Sequence, residues 1–191
     1  MKRSSNYLSA VAIAAGMLLT SANPLTAQMG GSPMGGSQNP QSMPSPPATA
    51  SVTVGGGTID IKYSTPKMRG RKIMGGLVPY GQVWRTGANA ATTIVTSVPL
   101  KFGSLTVPAG THTLYTLPGE SGWQLIINNE TSQWGTEYHQ EQDLGRVPMQ
   151  SKKLSSPHEV MSISFENTKP NSTELHVRWE TTDQYVTITK P

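Results

Sequence analysis

Apolar and polar residues alternate in short runs from about Ser51 to the end of the chain. In one late run, Met161, Ile163 and Phe165 are apolar and serines stand between them. A period of two places successive side chains on opposite faces of a strand, so this run predicts a half-buried β-strand. The pattern predicts nine such strands, at Ser51–Val54, Thr58–Tyr63, Thr92–Ser97, Leu100–Phe102, Thr111–Leu117, Trp123–Asn128, Val160–Glu166, Glu174–Glu180 and Gln184–Thr189.

Turn-forming residues separate these strands, for example at Gly55–Gly57 and at Pro108–Gly110. No amphipathic helical period of ten or more residues occurs. Many short strands joined by turns are typical of all-β folds, and the sequence predicts an antiparallel β-sandwich, with an open β-barrel as the alternative. Residues 51–191 are long enough to form a single β-rich domain around one core.

The N-terminal segment is organised like a secretory signal peptide. Lys2 and Arg3 form a positively charged region, an apolar run extends from Leu8 to Leu19, and small residues lead up to Ala27. This run is shorter than the about 20 residues that a membrane-spanning helix needs. We therefore expect residues 1–27 to be removed during export. The mature chain is then expected in the periplasm or outside the cell, soluble and without a transmembrane segment.

Residues 28–50 consist mainly of Gly, Ser, Pro and Gln and contain no charged residue. Such a segment buries too little apolar surface to offset the entropy lost on ordering, so the sequence predicts a disordered linker. Met29, Met34 and Met43 suggest a Cu(I) site, because thioethers are soft ligands, but they are too widely spaced for one. A plain linker is the preferred interpretation.

Cysteine usage and charge exclude several function classes. The chain has no cysteine, which excludes disulfides, thiolate metal sites and a cysteine nucleophile. Without Lys2 and Arg3 the 13 basic and 11 acidic residues leave a net charge of +2, which is too small to indicate a nucleic-acid binder. Seven basic and no acidic residues lie between Ile61 and Gly119. These positive charges are either neutralised by acidic residues in the second half of the domain or form an anion-binding surface.

The segment from Tyr63 to Thr93 carries five basic residues and no acidic one, and it lacks a regular apolar period. Its side chains therefore look individually placed. Aromatic faces combined with a few fixed donors suit an anionic or sugar-like ligand. The candidate ligand-binding residues are Arg71, Lys72, Tyr80, Trp84, Arg85 and Asn89.

Two roles are possible for these basic residues. We expect Arg85 to be structural, bonded to loop carbonyls or to a carboxylate such as Asp143, and we expect Arg71 and Lys72 to face a ligand. The preferred function is a non-catalytic binding or structural module for an unknown small molecule or partner protein. The alternative is a small hydrolase or metal-dependent enzyme with a polar site near Arg85, His112 and Asp143.

A metal site is conceivable in one acidic stretch. Glu137, His139, Glu141 and Asp143 alternate, and on an extended strand they would project from one face and could ligate a metal. Because the stretch is highly polar, an exposed loop is the expectation, and we predict no metal or cofactor site. No GxSxG or SxxK setting marks a serine nucleophile.

Several runs together carry a resemblance to a known family: GRKIMGGLVPYGQVWRTGANAATT, VPAGTHTLYTLPGESGWQLIINN, QWGTEY and DLGRVPM. Over about Tyr63 to Gln150 the chain resembles the bacterial exported family catalogued as domain of unknown function 2911. The resemblance implies an exported, β-rich protein with no established activity, so it brings no catalytic residues. The positions that match the family pattern are Gly70, Arg71, Tyr80, Gly81, Trp84, Arg85, Thr86, Gly87, Asn89, Thr92, Gly110, Trp123, Trp134, Gly135 and Asp143.

Overall fold

A computed structural model describes residues 43–191, which form ten antiparallel strands in two sheets. The strands are β1 Pro47–Val54, β2 Gly57–Ser64, β3 Thr92–Thr96, β4 Leu100–Phe102, β5 Leu105–Val107, β6 Gly110–Leu117, β7 Gln124–Asn128, β8 Asp143–Pro148, β9 Gln150–Lys169 and β10 Ser172–Thr189. A 3-10 helix covers Gln140–Gln142. The predicted signal peptide and most of the predicted linker, through Ser42, lie outside the described residues.

The two sheets have the orders β1-β2-β3-β6-β7-β8 and β5-β4-β10-β9. Neither sheet closes on itself, so the predicted antiparallel β-sandwich is confirmed and the barrel alternative is not what forms. The core lies between the sheets because alternate residues of each strand point inward. Ile59 and Ile61 of β2, for example, are fully buried, as are Leu175 and Met161 of the other sheet.

Several strand boundaries differ from the prediction. Strand β1 begins at Pro47, inside the stretch predicted as linker, and pairs with β2 along its whole length. Strand β9 spans Gln150–Lys169 and is longer than the predicted Val160–Glu166. Strands β5 and β8 were not predicted: β5 follows β4 after only two residues, and β8 is a charged, glycine-containing run with little alternation. Two predicted strands, Glu174–Glu180 and Gln184–Thr189, are one long strand interrupted by a bulge.

That bulge centres on Glu180, which has a φ of 54° and lies between two register shifts in the β9–β10 pairing. A bulge bends the strand, and here it brings the two halves of β10 together. The rings of His176 and Tyr185 stack with centres 4.9 Å apart, although nine positions separate them in the strand. No helix among residues 43–191 is long and apolar enough to cross a membrane.

The longest connection, residues 65–91 between β2 and β3, contains no regular helix or strand. We call it the β2–β3 loop. Loops of more than about 12–15 residues without secondary structure are uncommon in compact domains and are usually functional where they are ordered. Single bridges tie the loop to the sandwich, pairing Lys67 with Val160 and Trp84 with Thr116. It covers most of the segment that the sequence singled out.

Candidate functional site

Backbone N–H groups hold the first half of the β2–β3 loop against the β9–β10 hairpin. The Glu180 carboxylate accepts hydrogen bonds from the backbone nitrogens of Ile73, at 3.1 Å, and Met74, at 3.2 Å. The nitrogen of Met68 donates to the carbonyl of Glu159 at 2.9 Å. Buried loop N–H groups need such partners, so the bulge in β10 fixes where this part of the loop lies.

The second half of the loop contains a strained residue. Thr86 is fully buried and has a φ of 53°, a region that β-branched residues rarely adopt. Its hydroxyl lies 3.0 Å from that of Thr116, and its carbonyl accepts a 2.9 Å bond from Thr92. The surrounding bonds hold this conformation in place, and strain of this kind is concentrated at functional sites.

Asn89 also has a positive φ, 61°, which asparagine tolerates. Its amide donates to the carbonyl of Ser45 at 3.2 Å and lies 3.3 Å from the hydroxyl of Ser64. Asn89 therefore joins the loop to the segment before β1 and to the end of β2.

A cleft of about 340 Å³ opens beside this strained segment. We call it the Arg85 cleft; its principal lining residues are Arg71, Leu77, Trp84, Arg85, Asn89 and Trp179. Trp84 stacks on Trp179, with ring centres 5.8 Å apart and planes inclined by 18°. Leu77 is 48% exposed and adds apolar surface at the rim of the cleft. The cleft thus combines an aromatic wall and an apolar rim with two guanidinium groups.

The Arg85 side chain has no carboxylate partner within residues 43–191. Its Nε is buried and makes no hydrogen bond. Burial lowers the pKa of the guanidinium, but arginine remains charged in proteins. A charged donor that is desolvated without an acceptor is costly to the fold, which distinguishes Arg85 from an ordinary structural arginine.

Asp143, which the sequence offered as one example of a carboxylate partner for Arg85, bonds other residues. It accepts a 2.6 Å bond from the hydroxyl of Tyr138 and a 2.9 Å bond from Nε of Arg146. Burial, followed by the hydrogen bond to Asp143, raises the pKa of Tyr138 to about 12. Asp143 and Arg146 lie three residues apart in β8, so this carboxylate is paired within its own strand.

The structure brings together four of the six candidate ligand-binding residues, Arg71, Trp84, Arg85 and Asn89, in the Arg85 cleft. Arg71 bonds the carbonyls of its own turn, through Nε to Met68 at 3.0 Å and through Nη2 to Lys67 at 2.8 Å. Lys72 is exposed and does not line the cleft.

Tyr80 lines a second cleft, of about 230 Å³, beside Trp123. We call it the Gln184 cleft, and its other principal residues are Glu120, Lys152, Lys153 and Gln184. Sequence reasoning missed Trp179 and Gln184 as cleft residues because both stand in the alternating pattern of a strand. Nothing in such a pattern separates a residue that fills the core from one that lines a cleft.

The polar site proposed as an alternative does not assemble. His112 bonds the carbonyl of Pro108 through Nε2 at 3.1 Å, and its Nδ1 is buried without a partner. Arg85, His112 and Asp143 share no hydrogen-bond partner among the described residues, and only Arg85 lines the Arg85 cleft.

The acidic stretch also differs from an extended strand. His139 pairs with Glu130 at 2.7 Å, and this hydrogen bond raises the pKa of the imidazole. Glu141 lies in the 3-10 helix, so the four alternating residues do not share one face. The described part of the chain contains no group of three or more His, Cys, Asp or Glu side chains placed to hold a metal ion.

One buried polar network lies apart from both named clefts. His176 is fully buried, with Nδ1 2.7 Å from Asp183 and Nε2 3.2 Å from Glu174. Arg178 bonds both Asp183 and Glu166, the latter through two nitrogens. These groups satisfy one another across the bend in β10, so the network stabilises the bend rather than exposing a reactive group.

Comparison with known proteins supplies a family but no activity. No curated protein and no solved structure matches this chain. A family model described as "Protein of unknown function (DUF2911)" matches residues 45–188, which include both clefts and nearly all of the sandwich, and the chain therefore belongs to that family.

Proposed function

We propose that this protein is a binding module whose Arg85 cleft holds the anionic group of a small organic ligand. The observation that carries the proposal is the buried, unpartnered Nε of Arg85 in a cleft walled by Trp84 and Trp179. A carboxylate or phosphate oxygen would supply the missing acceptor, and the planar guanidinium binds such groups through two parallel bonds.

The rest of the cleft favours a ligand with a planar or apolar portion. Trp84, Trp179 and Leu77 offer apolar surface within the same cleft as the charge. Aromatic and aliphatic side chains around a few fixed polar groups are typical of small-molecule sites, which have volumes of roughly 300–1,000 Å³. The volume of about 340 Å³ lies at the lower end of this range, so the ligand is small.

The lining residues suit binding better than catalysis. Among the described residues that line the cleft, Ser45 is the one hydroxyl, and none is an Asp, Glu, His, Lys or Cys. A general base within hydrogen-bond reach of a nucleophile is what acid–base or covalent catalysis requires. Arginine, asparagine and tryptophan instead hold and orient a ligand.

Export completes the proposal. Residues 1–27 would direct secretion and be removed, and the uncharged linker that follows would be the N-terminal extension of the exported domain. The observations behind this part are the charged and apolar regions of the N-terminus and the uncharged Gly/Ser/Pro composition after it.

Benzoate, benzamide and inorganic phosphate test the Arg85 cleft directly. Benzoate combines a carboxylate with a planar ring, benzamide has the ring without the charge, and phosphate has charge without the ring. We expect benzoate to raise the melting temperature and change the tryptophan fluorescence more than either of the others. A ligand that binds only the native state stabilises it by RT ln(1 + [L]/Kd), so tighter binding at one concentration gives a higher melting temperature.

The matched variants are Arg85→Gln and Lys101→Gln. Each removes one positive charge, but Lys101 is exposed on β4 and does not line the cleft. Arg85→Gln should weaken benzoate binding about tenfold or more, because a charge-assisted hydrogen bond contributes roughly 1.5–3 kcal/mol. The proposal fails if benzamide binds as tightly as benzoate, if no probe binds, or if Arg85→Gln and Lys101→Gln behave alike.

A further inference from the structure

The Gln184 cleft lies along the same loop as the Arg85 cleft but is lined by different residues of it. Met74 and Tyr80 line the Gln184 cleft, whereas Leu77 and Val78 line the Arg85 cleft. Trp123 lines the Gln184 cleft, and Trp84 lines the Arg85 cleft. The two rings pack edge-to-face, with their centres 6.2 Å apart. The two clefts therefore offer separate sites on the two sides of the tryptophan cluster.

An unsatisfied acceptor is the distinguishing feature of the Gln184 cleft. Gln184 is only 3% exposed, and its Nε2 donates to the hydroxyl of Ser151 at 2.9 Å. The other end of the amide, Oε1, is buried without a hydrogen-bond partner. Buried polar atoms are nearly always paired, so an acceptor left in a cleft indicates a ligand that donates to it.

The charges around Gln184 restrict the kind of donor. Lys152 and Lys153 line the cleft, against a single acidic residue, Glu120. The ammonium of Lys152 lies 4.7 Å from the centre of the Tyr185 ring, on the face of β10 opposite to Gln184. Lys153 pairs with Thr182, on the same face as Gln184, and is therefore the cation that faces the cleft. A cation beside an unsatisfied acceptor fits a ligand that carries a hydroxyl group for Gln184 and a negative charge for Lys153.

Aromatic surface completes the site. Tyr80 is 38% exposed, and its ring packs over Gly75, where a Cβ would lie 2.8 Å from Cε2 of the ring. The missing side chain at Gly75 thus lets the ring lie flat against the loop, beside Trp123. A pyranose ring presents C–H groups on one face and hydroxyls around its edge, which matches an aromatic face surrounded by polar groups. The hydroxyls of Ser151 and Thr182 also line the cleft.

We infer that the Gln184 cleft is a second binding site, which takes the pyranose ring of an acidic sugar. In this site Oε1 of Gln184 accepts a hydrogen bond from a sugar hydroxyl, Tyr80 packs on the ring, and Lys153 attracts the carboxylate. The inference does not depend on the Arg85 cleft, because neither the lining residues nor the unsatisfied atom is shared.

Matched sugars test this assignment on the full-length chain by isothermal titration calorimetry. D-glucuronate and D-galacturonate are the acidic probes, and D-glucose and D-galactose are their neutral counterparts. We expect at least one uronate to bind at millimolar concentration and more tightly than its neutral counterpart. Lys153→Gln should remove that preference, whereas Lys152→Gln, which removes the ammonium over Tyr185, and Lys169→Gln, an exposed lysine at the β9–β10 turn, should keep it.

Two further variants separate a sugar site from adventitious attraction to lysines. Tyr80→Ala and Gln184→Leu should each weaken uronate binding about tenfold, since each removes one principal contact. If Gln184→Leu does not fold, the test rests on Tyr80→Ala, because Tyr80 is partly exposed and its replacement should leave the fold intact. The inference is overturned if neither uronate binds, if the neutral sugars bind equally well, or if Tyr80→Ala retains the affinity of Lys169→Gln.

Discussion

Gly135 leaves the space that the side chain of Arg85 occupies. A Cβ atom on Gly135 would overlap Cδ of Arg85 and would lie 2.6 Å from the carbonyl oxygen of Asn89. The nitrogen of Gly135 also donates to that carbonyl, at 3.3 Å. The Trp134–Gly135 segment therefore packs directly on the strained part of the β2–β3 loop, and the absence of a side chain there determines where the guanidinium lies.

Gly135→Ala should displace Arg85 and abolish benzoate binding while leaving the charge of the protein unchanged. Overpacking of this kind typically costs about 1–3 kcal/mol of stability. Gly122→Ala is the control, since a Cβ there would meet nothing within 4 Å. Thermal melts with and without benzoate measure both effects. Equal benzoate responses in the two variants would show that Gly135 does not position Arg85.

Arg85→Gln should change the free energy of unfolding by less than about 1 kcal/mol, because no buried carboxylate loses its partner. Arg178→Gln should cost about 3 kcal/mol or more, since it removes the guanidinium that pairs with Glu166 and with the buried Asp183. Urea unfolding of both variants at pH 7 compares them. A large loss for Arg85→Gln would mean that this arginine is structural after all.

Glu180→Ala should loosen the first half of the β2–β3 loop. The substitution removes the acceptor for the backbone nitrogens of Ile73 and Met74, and buried donors without acceptors cost roughly 1–3 kcal/mol. Glu180→Gln keeps an oxygen acceptor and is the control. Hydrogen exchange should become faster at Ile73 and Met74 in Glu180→Ala, and unchanged exchange there would contradict the assigned anchoring role.

Acidification should destabilise the bend in β10. The hydrogen bond from Arg178 lowers the pKa of Glu166, and that from Asn167 lowers the pKa of Glu174. Carboxyl groups with lowered pKa values stabilise the fold above their unfolded pKa, here 4.5, and this contribution is lost as the pH falls through the folded value. The melting temperature should therefore fall when the pH is lowered below about 4.5. Glu166→Gln should lower the melting temperature at pH 7, and its melting temperature should depend less on pH in the acidic range. A pH profile identical to that of the wild type would disprove the assignment.

Secreted material should begin at Gln28 if cleavage follows Ala27, or at Asn23 if it follows Ala22, a small residue nearer the apolar run. Cleavage follows from the charged, apolar and small-residue regions of the N-terminus. Intact-mass measurement of periplasmic or culture-medium protein gives the start point. Limited proteolysis of the same material should then trim the linker but stop before β1. Recovery of exported protein that still carries Met1 would contradict cleavage.

The alternation of apolar and polar residues by itself determined the all-β class and most of the strands, because a strand with one buried face must alternate. The long β2–β3 loop was also visible as a basic segment without a period. Strands β5 and β8 were not visible, since β5 follows β4 after only two residues and β8 is a mixed run without a regular alternation.

Only the tertiary structure decided which of the marked residues act together. Trp84 and Trp179 are distant in the chain and stack because the loop packs against β10 beside the bend at Glu180. Gln184 and Tyr80 line one cleft although 104 positions of the chain, from residue 80 to residue 184, separate them. Sequence periodicity records which face of an element is buried. Partnerships between elements depend on how the sheets and loops pack, and no local pattern encodes that.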